Sequence, residues 1–118
     1  EGFEMLMQKL GDRAFIVADD LATTNDEIVE EAADRGAANT LLVKPNQIGS
    51  LLKVKEVIDF AKKNKIKTII SHRSGENLDD TIANLAIAWN CNFIKTGIYG
   101  KVREVKLKRL IDIEKSLI

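Results

Sequence analysis

The chain has little of several features that would point to a particular compartment or partner. It contains one cysteine, Cys91, among 118 residues. No disulfide can therefore form within the chain, and a reducing compartment such as the cytoplasm is expected. Its 18 basic residues are matched by 18 acidic ones, so the whole molecule has no built-in attraction for nucleic acid. No apolar run approaches the roughly 20 residues of a membrane span, and no signal peptide is visible. Nucleic acid and membrane are not expected partners.

The length and composition are those of one globular domain. Of its residues, 45% are hydrophobic and 31% are charged, which are ordinary proportions for a folded chain. Because 118 residues can bury a core and no linker or low-complexity tract is present, we expect a single domain over 1–118. The chain begins at Glu1 rather than at Met. We therefore expect that it was cut from something longer or that a leader was removed.

Short apolar runs alternate with stretches of helical periodicity. The runs are apolar throughout rather than alternating, which is typical of parallel strands covered on both faces. Helical spacing of apolar residues and capping residues between the runs predict the helices. The sequence therefore predicts an α/β fold of four parallel strand–helix units preceded by an N-terminal helix. The predicted strands are 14–17, 40–43, 67–71 and 93–94, and the predicted helices are 3–10, 25–36, 51–63, 78–89 and 102–117. Thr24 or Asn25 is the candidate cap of the second helix and Ser50 that of the third. The segment 46–49 is predicted as a loop, and Leu117 is expected on the inner face of the last helix.

A polar or charged residue follows each predicted strand. These residues are Asp19, Lys44, His72 and Lys95, and they are 25, 28 and 23 residues apart. A (β/α)8 barrel uses about 250 residues for eight strand–helix units, or about 31 for each unit. The chain therefore predicts roughly half of such a barrel. The carboxyl ends of the strands are where barrels of this kind hold their chemistry.

The third predicted strand leads into the segment 71–76, which reads Ser-His-Arg-Ser-Gly-Glu. Polar side chains between a strand and the next helix lie where α/β proteins bind anions. His72 is the only histidine of the chain. Arg73 can hold a phosphate through two parallel hydrogen bonds. The segment is therefore a candidate phosphate site.

Four segments in the same order resemble one known family. From about Gly11 to Glu114, the chain is similar to the second half of the enolase (phosphopyruvate hydratase) barrel. The resemblance implies a TIM-type fold, a cytoplasmic and oligomeric lyase of glycolysis and gluconeogenesis, and the reversible dehydration of 2-phosphoglycerate to phosphoenolpyruvate with Mg²⁺. The segments that carry it are 18–21 (Ala-Asp-Asp-Leu), 42–49 (Leu-Val-Lys-Pro-Asn-Gln-Ile-Gly), 71–76 and 94–97 (Ile-Lys-Thr-Gly).

The resemblance also implies a role for each residue of these segments. Lys44 would be the base that takes the C2 proton, and Asp19 would be a ligand of Mg²⁺ beside the substrate. Lys95 would lie against the substrate carboxylate and would count, like His72, as both catalytic and substrate-binding. The residues implied to close over the substrate phosphate are Ser71, His72, Arg73 and Ser74.

Some parts of the family pattern cannot be placed on this chain. Two further metal-ligand carboxylates, the acid that protonates the leaving hydroxyl and an N-terminal domain lie upstream in the family. Lys108 stands where the family usually has asparagine. Because Mg²⁺ gives up its water reluctantly and one carboxylate holds it weakly, we expect the isolated chain to be inactive or nearly so. Pairing with the missing barrel half, or homo-oligomerisation, is expected.

Two other classes of function remain open at the level of sequence. A half-barrel has two open sheet edges, and unpaired edges invite pairing. The chain could thus be a catalytically inactive assembly or phosphate-binding module that closes on a second copy or flattens into a flavodoxin-like layer. A phosphoacceptor receiver domain has a similar length, but Lys44 and Pro45 stand where its aspartate is needed. The basic stretch 101–109 is interpreted as the solvated face of an amphipathic helix rather than a nucleic-acid patch.

Overall fold

The computed structural model describes residues 2–19 and 35–118. The predicted helix over 25–36 lies almost wholly outside these residues, as do its candidate caps Thr24 and Asn25. The elements are α1 (Gly2–Leu10), β1 (Val17–Ala18), β2 (Thr40–Val43), α2 (Pro45–Ile48), α3 (Leu51–Lys63), β3 (Lys67–Ser71), α4 (Thr81–Ala88), β4 (Phe93–Lys95) and α5 (Lys101–Leu117).

The four strands form one parallel sheet in the order β1-β2-β3-β4. The predicted α/β architecture with an N-terminal helix is thus confirmed. Neighbours in the sheet are also neighbours in sequence, as in a barrel. A flavodoxin-like sheet has the order 2-1-3-4-5, so neither the flattened layer nor the receiver domain fits this topology. Within the described parts of the chain, no helix is long and apolar enough to cross a membrane.

The main core lies between β2 and α3. All four residues of β2 are buried. Helix α3 turns Val54, Val57, Ile58 and Ala61 towards the sheet. Burying an aliphatic side chain of this size stabilises a fold by about 1.5–3 kcal/mol. The Ser50 hydroxyl accepts a hydrogen bond from the backbone N–H of Lys53 at 3.4 Å and so caps α3.

Asparagine side chains close the amino end of the sheet. The amide nitrogen of Asn39 donates to the carbonyls of Gly11 and Ala14 at 3.0 and 2.8 Å. Its oxygen accepts from the backbone N–H of Ile16 at 2.8 Å. These bonds tie the chain before β1 to the residue before β2. One side chain thus fixes the entry of two neighbouring strands.

The segment 46–49 was predicted as a loop, and that prediction is wrong. Pro45 opens the short helix α2 because its fixed φ suits the first helical position, where no N–H is needed. The backbone N–H of Gln47 donates to the Lys44 carbonyl at 3.0 Å. Gly49, at φ +75°, ends the turn in the left-handed region. The residue after β2 is therefore held by a helical turn.

Two helices depart from the predicted pattern. Helix α4 begins at Thr81 instead of 78, and Leu78 is exposed. In α5, Leu117 was expected to face inward but is 77% exposed. Lys106, assigned by sequence to a solvated face, is instead buried. The spacing of apolar residues in α5 therefore predicts its buried face only in part, because a charged residue occupies some of that face.

Some surfaces of this chain remain uncovered. No residue of α1 is buried, although its apolar residues repeat at helical spacing. At the other edge of the sheet, Phe93 and Lys95 of β4 are exposed and Ile94 is only half-buried. Strand β2, by contrast, is covered on both faces. The packing is thus complete around β2 and open at the edge strand β4.

Candidate functional site

The carboxyl ends of β2, β3 and β4 bring three predicted site residues into one row. Ser71 is paired with Lys95, and Val43 is paired with Ile70. Lys44, the next residue after Val43, therefore lies beside Ser71 at the edge of the sheet. Adjacent strands are about 4.8 Å apart, so the backbones of Lys44 and Lys95 are separated by roughly 10 Å. Both lysines can reach one small ligand placed above β3.

Asp19 joins this row through an ion pair. Its Oδ1 lies 2.5 Å from Nζ of Lys44. The Lys44 side chain is 13% exposed, whereas that of Asp19 is 47% exposed. An ammonium with so little access to water depends on nearby acceptors more than a surface lysine does. The structure thus places the predicted metal ligand against the predicted base.

His72 lies at the turn that leaves β3. Its backbone N–H donates to the carbonyl of Lys95 at 3.0 Å, which continues the β3–β4 pairing beyond the strand. The Ser71 side chain is buried, and its hydroxyl donates to the His72 carbonyl at 2.8 Å. Nδ1 of His72 is a buried atom with no hydrogen-bond partner in the described structure. The imidazole therefore keeps an unused polar atom at the carboxyl edge of the sheet, which is called the rim below.

Arg73 and Ser74 follow at the tip of the same loop, and both are exposed. Gly75 has φ +82°, a conformation that residues with a Cβ rarely adopt. This turn sends the chain from the exposed tip back towards Glu76, which is only half-exposed. Of the four side chains predicted to close over a phosphate, these two are thus the accessible ones.

A cavity of about 420 Å³ lies beside the rim. Apolar residues of α3 and α4 form much of its wall, including Leu51, Ile82 and Leu85. Ser71 and His72 line it too, but Asp19, Lys44 and Lys95 do not. The predicted site residues therefore divide between the open sheet edge and the mouth of this cavity.

The turn after Lys95 depends on a glycine. Gly97 has φ +72°, and a Cβ there would collide with Cδ of Arg103. The Arg103 guanidinium donates to the Tyr99 carbonyl at 3.1 Å. The positive φ favours glycine at this position, and a Cβ would also require the Arg103 side chain to shift.

A buried pair behind the loop was missed by sequence reasoning. Lys106 is 1% exposed, and its Nζ lies 2.6 Å from Oε2 of Glu76. One signal was available: Lys106 lies four residues before Leu110 and seven before Ile113, which places it on their side of the helix. Because Lys106 lies within the basic stretch 101–109, it was interpreted as part of a solvated face instead.

The described residues offer one carboxylate to a metal ion at the rim. Asp19 supplies hard oxygen atoms of the kind that Mg²⁺ binds. Over 2–19 and 35–118, no group of three or more His, Cys, Asp or Glu side chains could hold a metal. Asp19 therefore fits one coordination position, and the remaining ligands would have to come from elsewhere.

The sheet is parallel and in sequential order, with lysines and an aspartate at its carboxyl edge. The family model described as "Enolase, C-terminal TIM barrel domain" matches residues 1–118. The chain belongs to the enolase family. This confirms the resemblance carried by the four segments and the barrel-type fold. The roles of individual residues stay predictions.

Relatives named enolase match nearly the whole chain. The enolase of Halorubrum lacusprofundi is 50% identical over 113 residues, which is 96% of this chain and 28% of the relative. That of Methanothermobacter thermautotrophicus is 45% identical over 117 residues, or 99% of this chain and 28% of the relative. That of Sulfurimonas denitrificans is 44% identical over 119 residues, which is 100% of this chain and 28% of the relative. The chain thus covers little more than a quarter of these enolases.

Proposed function

We propose that this chain supplies part of the active site of a magnesium-dependent phosphopyruvate hydratase, which interconverts 2-phosphoglycerate and phosphoenolpyruvate. The proposal treats 1–118 as one partial barrel domain of a cytoplasmic enzyme of glycolysis and gluconeogenesis. The observation that carries it is the row of Lys44, Ser71 and Lys95 on neighbouring strand ends, with Asp19 in contact with Lys44. Family membership makes this row the natural place for the reaction.

Lys44 takes the C2 proton of 2-phosphoglycerate onto its neutral amine, and the electron pair moves towards the substrate carboxylate. The C3 hydroxyl then leaves as water with a proton from an acid elsewhere in the protein, which leaves phosphoenolpyruvate. A lysine base working with Mg²⁺ is usual in the enolase superfamily. The low exposure of Lys44 suits a base, because burial disfavours the charged ammonium.

Asp19 holds Mg²⁺ through its carboxylate in this proposal. When bound, the ion supplies positive charge that stabilises the negative charge developing on the substrate. The Asp19 carboxylate would then serve both the ion and the Lys44 ammonium, with which it is paired in the structure.

Other side chains of the rim bind the substrate. Lys95 pairs with the carboxylate, where negative charge grows as the C2 proton leaves. Arg73 takes two phosphate oxygens through a bidentate contact, and Ser74 donates a further hydrogen bond. His72 lies at the mouth of the cavity, where it would contact the ligand. Ser71, whose hydroxyl already bonds to the backbone, shapes the turn that presents these groups.

A chimaera of the Methanothermobacter thermautotrophicus enolase tests the proposal. Its matching segment, 45% identical to this chain, is replaced by residues 1–118, and phosphoenolpyruvate formation is followed by ultraviolet absorbance. We expect Mg²⁺-dependent turnover that falls about 10³-fold in Lys44→Met, the usual loss when a general base is removed. The exposed Lys53 provides the matched control Lys53→Met, which should keep full activity.

Two results would contradict the proposal. One is a folded chimaera in which Lys44→Met keeps turnover within a few-fold of the unmutated chimaera. The other is a folded chimaera that gains no rate over solution. Robust turnover by the isolated chain would instead overturn the expectation that one carboxylate is too few for Mg²⁺.

The second candidate is a non-catalytic half-barrel that binds phosphate and assembles with another barrel half. It is favoured by the exposed residues of β4 and by the absence of buried residues in α1. Open strand edges of this kind invite pairing. Sedimentation of the chain over a range of concentrations tests it. A strict monomer would exclude closure on a second copy, and a dimer without turnover in the chimaera would support this candidate.

A further inference from the structure

Lys106 of α5 is a buried cation with an ion-pair partner and two hydrogen-bond acceptors around its ammonium. Its Nζ lies 2.6 Å from Oε2 of Glu76 and donates to the carbonyls of Asn77 and Val102 at 2.9 and 2.7 Å. An ammonium has three hydrogens to donate, and three acceptors surround this one. The charge is therefore fully compensated although the residue is 1% exposed.

Two of the three acceptors belong to the segment that follows the phosphate loop. Glu76 and Asn77 precede α4, whereas Val102 lies one turn before Lys106 on its own helix. A buried ammonium is costly when its acceptors are missing. The burial of the Lys106 charge is therefore compensated only while 76–77 lies against α5. The position of that segment and the burial of Lys106 stabilise each other.

The loop 73–75 is consequently fixed at both ends. On one side the His72 N–H donates to the Lys95 carbonyl at 3.0 Å. On the other side Glu76 is held by Lys106. Only Arg73, Ser74 and Gly75 lie between these two anchors. So short a connection leaves the exposed Arg73 and Ser74 little freedom to move away from the rim.

We propose that the Lys106–Glu76 pair positions Arg73 and Ser74 for the phosphoryl group of the substrate. This inference rests on the proposed function, because it deepens the role of the phosphate loop. Lys106 is a positioning residue: its ammonium donates to the Asn77 and Val102 carbonyls and its charge is paired with Glu76, so it is already engaged within the protein. Its effect on binding is therefore transmitted through the backbone of 73–77.

Three variants in the chimaera distinguish a positioning role of the Lys106–Glu76 pair from a purely structural one. Lys106→Met removes the charge and keeps the length of the side chain. Glu76→Gln keeps the acceptor oxygen and removes the opposite charge, and it serves if Lys106→Met does not fold. Lys108→Met is the matched control, because Lys108 lies on the same helix in an exposed pair with Asp112 at 3.0 Å.

Hydrogen exchange gives the readout that does not depend on activity. In Lys106→Met we expect amide exchange over 72–81 to accelerate about tenfold or more, while exchange in β2 and β3 stays as in the unmutated protein. Glu76→Gln should give a smaller acceleration over the same residues. Lys108→Met should change neither region. Equal acceleration over the sheet and the loop in Lys106→Met would overturn positioning in favour of general destabilisation.

Ligand binding gives the second readout. A loop that is displaced by about 1 Å can lose up to about 10²-fold in rate or affinity. We expect Lys106→Met to raise KM for 2-phosphoglycerate about tenfold or more and to weaken inorganic phosphate as a competitor by a similar factor. A folded Lys106→Met protein with KM and phosphate affinity within twofold of the unmutated protein would overturn the proposal.

The two proposals fail in different ways. If the unmutated chimaera folds but has no turnover, the proposed reaction fails. Phosphate affinity and loop exchange then still decide the role of Lys106. If turnover is present and falls in Lys44→Met but is untouched in Lys106→Met, the reaction stands and the positioning role is excluded.

Discussion

The two ends of the sheet use polar side chains in opposite ways. At the amino end, Asn39 and Asn92 direct neutral amides at the backbone: Asn39 bonds to three backbone groups, and Asn92 Oδ1 accepts from the Thr68 N–H at 3.0 Å. At the carboxyl end, Lys44 and Lys95 present charges. The asparagine amides bond to the backbone at the amino end, whereas the lysines at the carboxyl end are directed towards another side chain or solvent.

This difference separates stability from chemistry. A neutral amide that bonds to several backbone groups fixes strand entry and has no remaining capacity for a ligand. Charged side chains at the opposite end add little to folding and can bind an anionic substrate. In (β/α)8 barrels the carboxyl face holds the active site, and the amino face mainly supports the fold. Substitutions at the two ends should therefore have different measurable consequences.

Among the substitutions that compare the two ends, Lys95→Met at the carboxyl end should have the largest effect on function. We expect turnover of the chimaera to fall about 10²-fold or more, because Lys95 would stabilise the charge that develops on the carboxylate. The free energy of unfolding should change by less than about 0.5 kcal/mol, since the side chain is exposed. Lys101→Met, at an exposed position on α5, is the control. Equal losses of turnover in both variants would break the comparison.

Asn39→Ala at the amino end should show the reverse pattern. It leaves the Gly11 and Ala14 carbonyls and the Ile16 N–H without their partner. Because each unsatisfied, partly buried group costs about 1–3 kcal/mol, we expect a loss of about 2–3 kcal/mol in urea unfolding. KM should be unchanged.

Asn39→Asp refines this test. An aspartate retains an acceptor for the Ile16 N–H but cannot donate to the two carbonyls. This variant thus lacks only the two donors, so its loss of stability should come from the unpaired Gly11 and Ala14 carbonyls. KM should again be unchanged. An Asn39→Ala protein as stable as the unmutated one would show that the amino end does not carry the stability assigned to it.

Gly97→Ala tests whether the carboxyl end also has a structural requirement. The new methyl group would meet Arg103, and alanine would be strained at φ +72°. We expect a loss of about 1–2 kcal/mol. Gly75→Ala is the matched control, because φ is +82° but no atom lies within 4 Å of the added Cβ. It should cost about 1 kcal/mol from backbone strain alone. Equal losses would exclude the contact with Arg103 as a cause.

Particular elements show how much of the fold can be predicted from the sequence. The buried strand β2, the Ser50 cap and the polar residues at strand ends follow from local patterns, and all were predicted. The helix α2 was not, because residues 46–49 have loop-like chemistry and only the Pro45 start and the Gly49 end favour a turn. Capping signals of so short a helix are weak beside those of α3.

The buried Lys106 could not be predicted with the same ease. Its acceptors are 30 and 29 residues away in sequence, and no local pattern links an isolated lysine to such partners. The same holds for the contact between Asp19 and Lys44, which requires that β1 and β2 be neighbours. Sequence therefore predicts which residues reach the carboxyl edge, while the pairing among them is a property of the packed sheet.

The smallest expected effect concerns Asp79, before α4. Its carboxylate accepts the Thr81 N–H at 2.7 Å. Hydrogen bonding by the Thr81 side chain and N–H lowers the pKa of Asp79 below its ordinary 3.8, and the nearby Lys106 charge adds slightly to the decrease. A group whose pKa is lower in the folded state stabilises the fold above its unfolded pKa. That contribution is lost as the pH falls through the lower folded value.

Asp79→Asn removes this titration and keeps an oxygen for the Thr81 N–H. The stability advantage of the unmutated protein over this variant should be constant near neutral pH. It should decline as the pH falls below 3.8, when measured by urea unfolding across the acid range. In a Lys106→Met background the advantage should be smaller, because the attraction of the Lys106 charge is gone. An advantage that grows on acidification would contradict the lowered pKa of Asp79.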